Sequence, residues 1–295
     1  MTGLLQATIY GLLQGGLLAL IAVGFSLVWG VMNVVNLAHG AFVVLGAYTA
    51  YLLNDSIGLD PFLGMFVSAA VLFLFGYAVQ RLLINLVVNG PIFITLLLTF
   101  GLELLLVQGM NLFFTANYQS IRTSYAGTGL PIGEIQVPLG RLLAFGLAIA
   151  VTLALVATMT RTRTGLSIMA TGMDRGAARL MGIRARHVYA LTFGIAAGLA
   201  GMAGAMVGTV GTFNPAAAGS FTLLSFVIAV LGGLGNMYGA LVGGLLMGLV
   251  QAWSGYFLPG TWVNALAFLL LVVVLIFRPS GLVGKQFYAA RVEVG

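Results

Sequence analysis

The chain has 295 residues, of which 61% are hydrophobic and only 6% charged, and its formal net charge is +6. A soluble domain carries about 25% charged residues, so a water-facing surface is excluded and the bilayer is the solvent that fits. The lack of cysteine excludes a disulfide framework and thiolate chemistry. The basic balance reads as arginines held at a cytoplasmic face rather than a nucleic-acid surface.

The first apolar run, about 7–31, is long, lacks a basic leader and continues into further spans, which predicts a membrane helix and no cleavable signal. Further runs follow at about 37–53, 62–84, 92–114, 139–160, 188–212, 222–256 and 262–277. A hydrocarbon core about 30 Å thick takes about 20 helical residues. The runs are continuous rather than alternating, which favours helices over a barrel. The expected fold is an all-α integral membrane protein, a polytopic bundle of about eight apolar segments, one of them broken.

Between the first two runs lies "VMNVVNLAHGAF", with Asn33, Asn36 and His39. A non-helical break there frees backbone groups that asparagines satisfy in turns and caps, and Asn36 is placed as N-cap of a helix starting at Leu37. His39 needs a partner if buried, and a structural hydrogen bond is expected of it. Broken helices that line a polar path recur in transporters, so this stretch is expected to shape backbone beside a translocation route. Asp55 and Asp60 fall in the next connector, and Arg81 at the far end of the following run. Glu103 is the one acid in the middle of a span, so it must be protonated, paired or facing water. The connector 115–138 reads as a polar loop.

The stretch 161–187 carries Arg161, Arg163, Arg175, Arg179, Arg184 and Arg186 against Asp174 alone, half of all lysine and arginine. It is expected in the cytoplasm. Within it Thr171 and Asp174 read as a capping box. Met173, Ala177, Leu180 and Met181 then form an apolar stripe on one short helix that ends near Gly182. Such a helix fits a groove on a soluble partner, with Arg175 and Arg179 on another face. A solvated loop whose arginines only set topology is the plainer alternative.

Five spans precede this stretch, which places the N-terminus outside. The basic C-terminus, with Arg278, Lys285 and Arg291, then returns to the inside only if 222–256 counts as two elements. The glycines Gly232, Gly233, Gly235 and Gly239 mark the expected break, with a half-helix over about 222–233. Ser225, Asn236 and Tyr238 are the side chains there that could meet a polar solute. Glycines four apart, such as Gly11 and Gly15 or Gly244 and Gly248, predict close helix packing.

Three stretches together resemble one family. "RTRTGLSIMATGMDRGAARLMGI" is similar to the cytoplasmic EAA-type loop of ATP-binding-cassette importer permeases, in the variant of branched-chain amino acid permeases. "GVMNVVNLAHGAFVVLGAY" resembles that family's N-terminal signature, and "AVLGGLGNMYGALVGGLLMGLVQ" its glycine-rich C-terminal one. Ala41 stands where many members have Glu, and Met237-Tyr238 where a Pro is common. The resemblance implies a single transmembrane permease domain over 1–295, with 161–187 as the ATPase-coupling loop. Coupling would use Gly165, Asp174, Arg175, Ala177, Ala178, Arg179, Leu180, Met181 and Gly182. The implied solute route uses the breaks at 33–40 and 232–239, with Glu103 and Ser225 beside it. Implied partners are a second, related permease subunit, two ATPase subunits that bind ATP and Mg, a periplasmic solute-binding protein and the bacterial inner membrane. Relatives import branched-chain or other amino acids, urea, short amides or small carboxylates.

An intramembrane enzyme fits poorly, since Asp55, Asp60 and Asp174 lie in connectors and neither His39 nor His187 has an acidic neighbour. A Walker A pattern is absent, and Lys285 is the only lysine. With no second His near His39, no metal site is expected. An autonomous channel or carrier stays open, although coupling acids within the spans would be needed and Glu103 alone qualifies.

Overall fold

The apolar runs fold as helices in a computed structural model that describes residues 2–88, 90–123, 125, 128–132, 135–260 and 262–284. Lys285 and Arg291 lie outside these residues. The elements are α1 (Thr2–Met32), α2 (His39–Ile57), α3 (Pro61–Val79), a π-helical segment (Gln80–Ile84) and α4 (Asn85–Val87), followed by α5 (Ile92–Phe114). A hairpin of β1 (Gly129–Ile132) and β2 (Ile135–Pro138) precedes α6 (Leu139–Arg161), α7 (Arg163–Met173) and α8 (Arg175–Leu180). The chain continues through α9 (Ala185–Val210), α10 (Ala217–Gly232), α11 (Met237–Phe257) and α12 (Trp262–Phe277). Six of these helical stretches are long and apolar enough to cross a membrane.

Glycine decides how closely the helices approach. α1 lies along α11, where a Cβ on Gly248 would overlap Gly15, so only backbone fits between them. α9 packs in the same way along α3, and α1 and α9 are the two central helices. α5 presents most of its surface outward.

The order long helix, break, half-helix, helix occurs twice. It runs α1, 33–38, α2, α3, and again α9, 211–216, α10, α11. Each long helix packs against the last helix of the other set. The two sets run in opposite directions, an inverted repeat of the kind found in transporters.

Connectors sort to two ends. At one, the Tyr10 hydroxyl donates to the Gln136 carbonyl at 2.9 Å, and Trp253 Nε1 donates to Thr8 Oγ1 at 3.0 Å. Asp60 caps α3 there, accepting from Phe62 N at 2.8 Å, and its other oxygen accepts from the Tyr125 hydroxyl at 3.0 Å. Burial, then the Asp60 contact, push the Tyr125 phenol well above its ordinary range, so it stays a donor. At the opposite end Asn85 Nδ2 donates to the Arg186 carbonyl at 3.3 Å, and Leu282 N to the Leu231 carbonyl at 2.8 Å. The N-terminus therefore stands opposite the Arg-rich stretch and Arg278. The run 222–256 is indeed two elements, α10 and α11.

Local expectations change in three places. First, 161–187 is two consecutive helices rather than a loop with one. Thr162 caps α7, its Oγ1 accepting from Gly165 N at 3.0 Å. Thr171 sits inside α7 and donates to the Ser167 carbonyl at 2.7 Å, so it is no N-cap. Asp174 is the cap instead, accepting from Gly176 N at 2.7 Å and Ala177 N at 3.0 Å. A carboxylate that can take two helix-start N–H groups ends one helix and opens the next, which divides the apolar stripe between α7 and α8. Second, α2 begins at His39, not Leu37, because the chain must first turn back from the end of α1. Asn36 accepts from Ala38 N at 3.1 Å, within that turn. Third, the connector 115–138 contains the β1–β2 hairpin, paired from Gly129↔Pro138 to Ile132↔Ile135.

Candidate functional site

At 1.5 Å per residue α1 is about 46 Å long, enough to cross the membrane whole. It ends where Asn33 takes a positive φ of 53°. The chain then runs back along the helix instead of leaving it. By His39 it has returned to the level of Ile21, whose carbonyl accepts from His39 Nε2 at 2.9 Å. The ring is fully buried and meets Phe25 edge-on with centroids 5.7 Å apart. The structural hydrogen bond expected of His39 is present.

The returning segment brings α2 to begin deep inside the bundle, where α10 also begins. Gly40 N donates to Thr222 Oγ1 at 2.8 Å, and that hydroxyl donates to the Leu37 carbonyl at 2.9 Å. A Cβ on Gly40 would overlap the Ala218 carbonyl, so the two half-helix starts touch backbone to backbone. From α5, Thr99 Oγ1 accepts from Leu37 N at 3.2 Å and lies 3.1 Å from the Val35 carbonyl. Peptide groups that would be stranded in hydrocarbon thus find partners on distant helices.

Sequence reading missed Thr99, Thr222 and Asn214. Asn214 stands three residues before α10 as Asn36 stands three before α2, and its Oδ1 accepts from Ala217 N at 3.1 Å. The signal was present: "NLAHGAF" at 36–42 and "NPAAAGSF" at 214–221 share an Asn, an Ala two residues on, a Gly and a Phe. Segment 211–216, not 232–239, is thus the structural counterpart of 33–38.

Glu103 lies one turn beyond Thr99 on α5 and is half-buried. Its Oε1 would stand 3.7 Å from a Cβ on Gly219, in the first turn of α10. A helix N-terminus carries partial positive charge and favours a carboxylate at that place.

The glycine-marked turn 233–236 is built differently, at the Arg-rich end. Gly233 and Gly235 take φ of 107° and 82°. Asn236 caps α11, accepting from Tyr238 N at 3.0 Å and Gly239 N at 3.2 Å, while its Nδ2 donates to the Val283 carbonyl at 3.1 Å. Gly232 and Gly239 meet backbone to backbone. Ser225 is buried and donates to the Phe221 carbonyl, whereas Tyr238 is exposed.

Two cavities lie along α1 and α6 on either side of the mid-bundle junction. One, of about 240 Å³, is lined by Leu13, Gln14, Leu17, Arg141 and Phe221. The other, of about 260 Å³, reaches from Gly30 and Met159 to Gly235, Asn236 and Tyr238. Only the second includes sequence-predicted residues. Among the described residues no three His, Asp or Glu side chains group to hold a metal.

At the Arg-rich end Gly165 lets α7 fold back on the last turn of α6, where a side chain would overlap the Thr158 carbonyl. α8 is anchored by buried Ala178 and by Arg175, whose guanidinium lies 5.3 Å over the Tyr189 ring. Ala177 and Arg179 are exposed. Leu180 and Met181 are 90% and 82% exposed, and Gly182 at φ 79° ends the turn. These two apolar side chains stand out most, beside exposed Met173 and Leu166 and the arginines of the stretch.

The family described as branched-chain amino acid transport system / permease component matches residues 7–275. The chain belongs to this permease family. It is 31% identical to the high-affinity branched-chain amino acid transport system permease protein BraD of Pseudomonas aeruginosa, over 95% of this chain and 96% of that relative. Identity to the Escherichia coli permease protein LivH is 29%, over 95% and 96% of the two chains. LivM of the same organism is 26% identical over 89% of this chain and 67% of its own length. This permease is a multi-pass membrane protein and a transport subunit rather than an enzyme.

Proposed function

We propose that this chain is the membrane subunit of an ATP-driven importer that carries branched-chain amino acids into the bacterial cytoplasm. Its full-length likeness to BraD carries the reading. The Arg-rich end faces the cytoplasm of the inner membrane. A related permease subunit, as LivM is to LivH by name, stands beside it, with two ATPase subunits below and a solute-binding protein outside. ATP and Mg belong to the ATPase subunits. Leu180 and Met181 enter a groove on an ATPase subunit, and Arg179, exposed on α8, meets its acids. Segment 161–187 transmits the ATPase motion to the permease domain formed by the chain.

The solute moves past α1, α6 and the half-helix α10, between the two cavities. The turn 232–239 lines the second cavity on that route, and the break at 33–40 supports it from behind, with the side chains of Asn33, Asn36, His39 and Ser225 shaping backbone. ATP hydrolysis supplies the driving force, so Glu103 carries no transported proton.

Reconstitution of the four-subunit assembly in liposomes with the binding protein tests this. Leucine uptake should require ATP and persist in Glu103→Gln. The pair Leu180→Asp and Met181→Asp should release the ATPase subunits and abolish uptake while the permease stays folded. Uptake by this chain alone, collapsed by an ionophore, would make it an autonomous carrier. Uptake of urea or a short amide in place of leucine would move the substrate.

A further inference from the structure

The Arg-rich end carries a second feature, at the start of α9. α3 passes into the π-helical segment Gln80–Ile84 where it meets the start of α9, and such segments are rare inside helices and frequent at functional sites. Arg81 Nη1 donates to the Tyr77 hydroxyl at 3.0 Å, and that hydroxyl is hydrogen-bonded to His187 Nδ1 at 3.1 Å. With the Asn85–Arg186 bond, these contacts join the end of α3 to the start of α9.

Between them opens a cleft of about 480 Å³, lined by Arg81, Asn85, Leu86, Arg184, Arg186 and His187. A neighbouring cleft of about 580 Å³ shares Arg81, Arg184 and His187 and adds Arg163. Three arginines therefore line each cleft, Arg81 and Arg184 being common to both, and among the described residues no carboxylate lines either one. Among the described acids, Asp55 and Asp60 stand at the other end, Glu103 lies mid-helix, and Asp174 caps α8. The positive charge has no counterpart within the described chain.

Leu86 supplies the apolar part of the first cleft's wall. Leu86 is 78% exposed and Leu82, one turn earlier, is 66% exposed. Arginine forks bind phosphate oxygens, and exposed leucines beside them suit an acyl chain. A soluble anion would leave that apolar wall unused.

We propose that this cleft binds the phosphate headgroup of an anionic phospholipid from the cytoplasmic leaflet. The headgroup sits among Arg81, Arg184 and Arg186, and an acyl chain lies along Leu82 and Leu86. The bound lipid bridges the ends of α3 and α9, one helix from each half of the inverted repeat.

The test uses the purified four-subunit complex in mixed micelles of phosphatidylglycerol and phosphatidylcholine at equal amounts, with bound lipid counted by native mass spectrometry. Wild type should retain phosphatidylglycerol in preference. R184Q/R186Q should lower that preference at least about tenfold, with the ATPase subunits still attached. R184K/R186K should keep most of it. Equal retention of both lipids by wild type would overturn the proposal, as would unchanged retention in R184Q/R186Q. Displacement by inorganic phosphate at matched concentration would make the ligand a soluble phosphate instead. Loss of ATPase subunits from R184Q/R186Q with lipid retention intact would make the cleft a protein-docking surface.

Discussion

Two interruptions each place an asparagine three or fewer residues before a helix and are built on opposite plans. Segment 33–38 turns inward: Asn36 is 1% exposed, and the peptide groups around it are met by Thr99 and Thr222 from other helices. Segment 233–236 stays at the end of the bundle and is satisfied by its neighbours. Its glycines adopt left-handed φ, its Asn caps the next helix, and the chain just beyond α12 pairs with it. Asn and Gly announce that the helix stops. Whether the freed backbone is solved locally or by distant helices depends on how deep it lies, because only the deep segment has no water to turn to.

The contrast gives an order of costs. The largest belongs to Gly40→Val, whose Cβ would overlap the Ala218 carbonyl where the half-helices meet. Over-packing two backbones should cost about 3 kcal/mol, read as a large fall in the thermal midpoint of the detergent-purified protein. A variant that melts with wild type would show that the two half-helix starts do not touch. Next comes Gly233→Ala at the outer turn, where a left-handed residue with a Cβ costs about 1–2 kcal/mol and Gly284 stands 2.8 Å away. Smallest is Asn236→Ala, which removes the α11 cap at about 1 kcal/mol. If Asn236→Ala proved more damaging than Gly40→Val under the same assay, the division into inward and outward breaks would fail.

Several features were legible because they follow from neighbours in the chain. The half-helix and return helix within 222–256 came from a parity of charges and a glycine run. Asn236 stands out in the sequence as the polar residue of the glycine run, and the backbone at 237–239 makes it a cap. Asp174 was read as the third helical residue when it is the cap, since both positions suit an acid and only the backbone at 174 distinguishes them. Thr99 and Thr222 gave no signal of their own. A threonine in an apolar helix usually bonds its own preceding turn, as Thr152 does to the Ala148 carbonyl at 2.8 Å.

By itself the sequence determined that this protein lives in lipid, where its helices run, which end is basic, and to which family its motifs point. Hydropathy, turn chemistry and charge placement are properties of short windows, and the bilayer reads them that way. Only the tertiary structure decided that 33–38 answers 211–216, that the halves are inverted, and that the arginines at the ends of α3 and α9 share one cleft. Those facts rest on contacts such as Thr222 with Leu37, 185 residues apart. No local pattern specifies which distant hydroxyl will meet a stranded carbonyl; packing the glycine-lined helices together does.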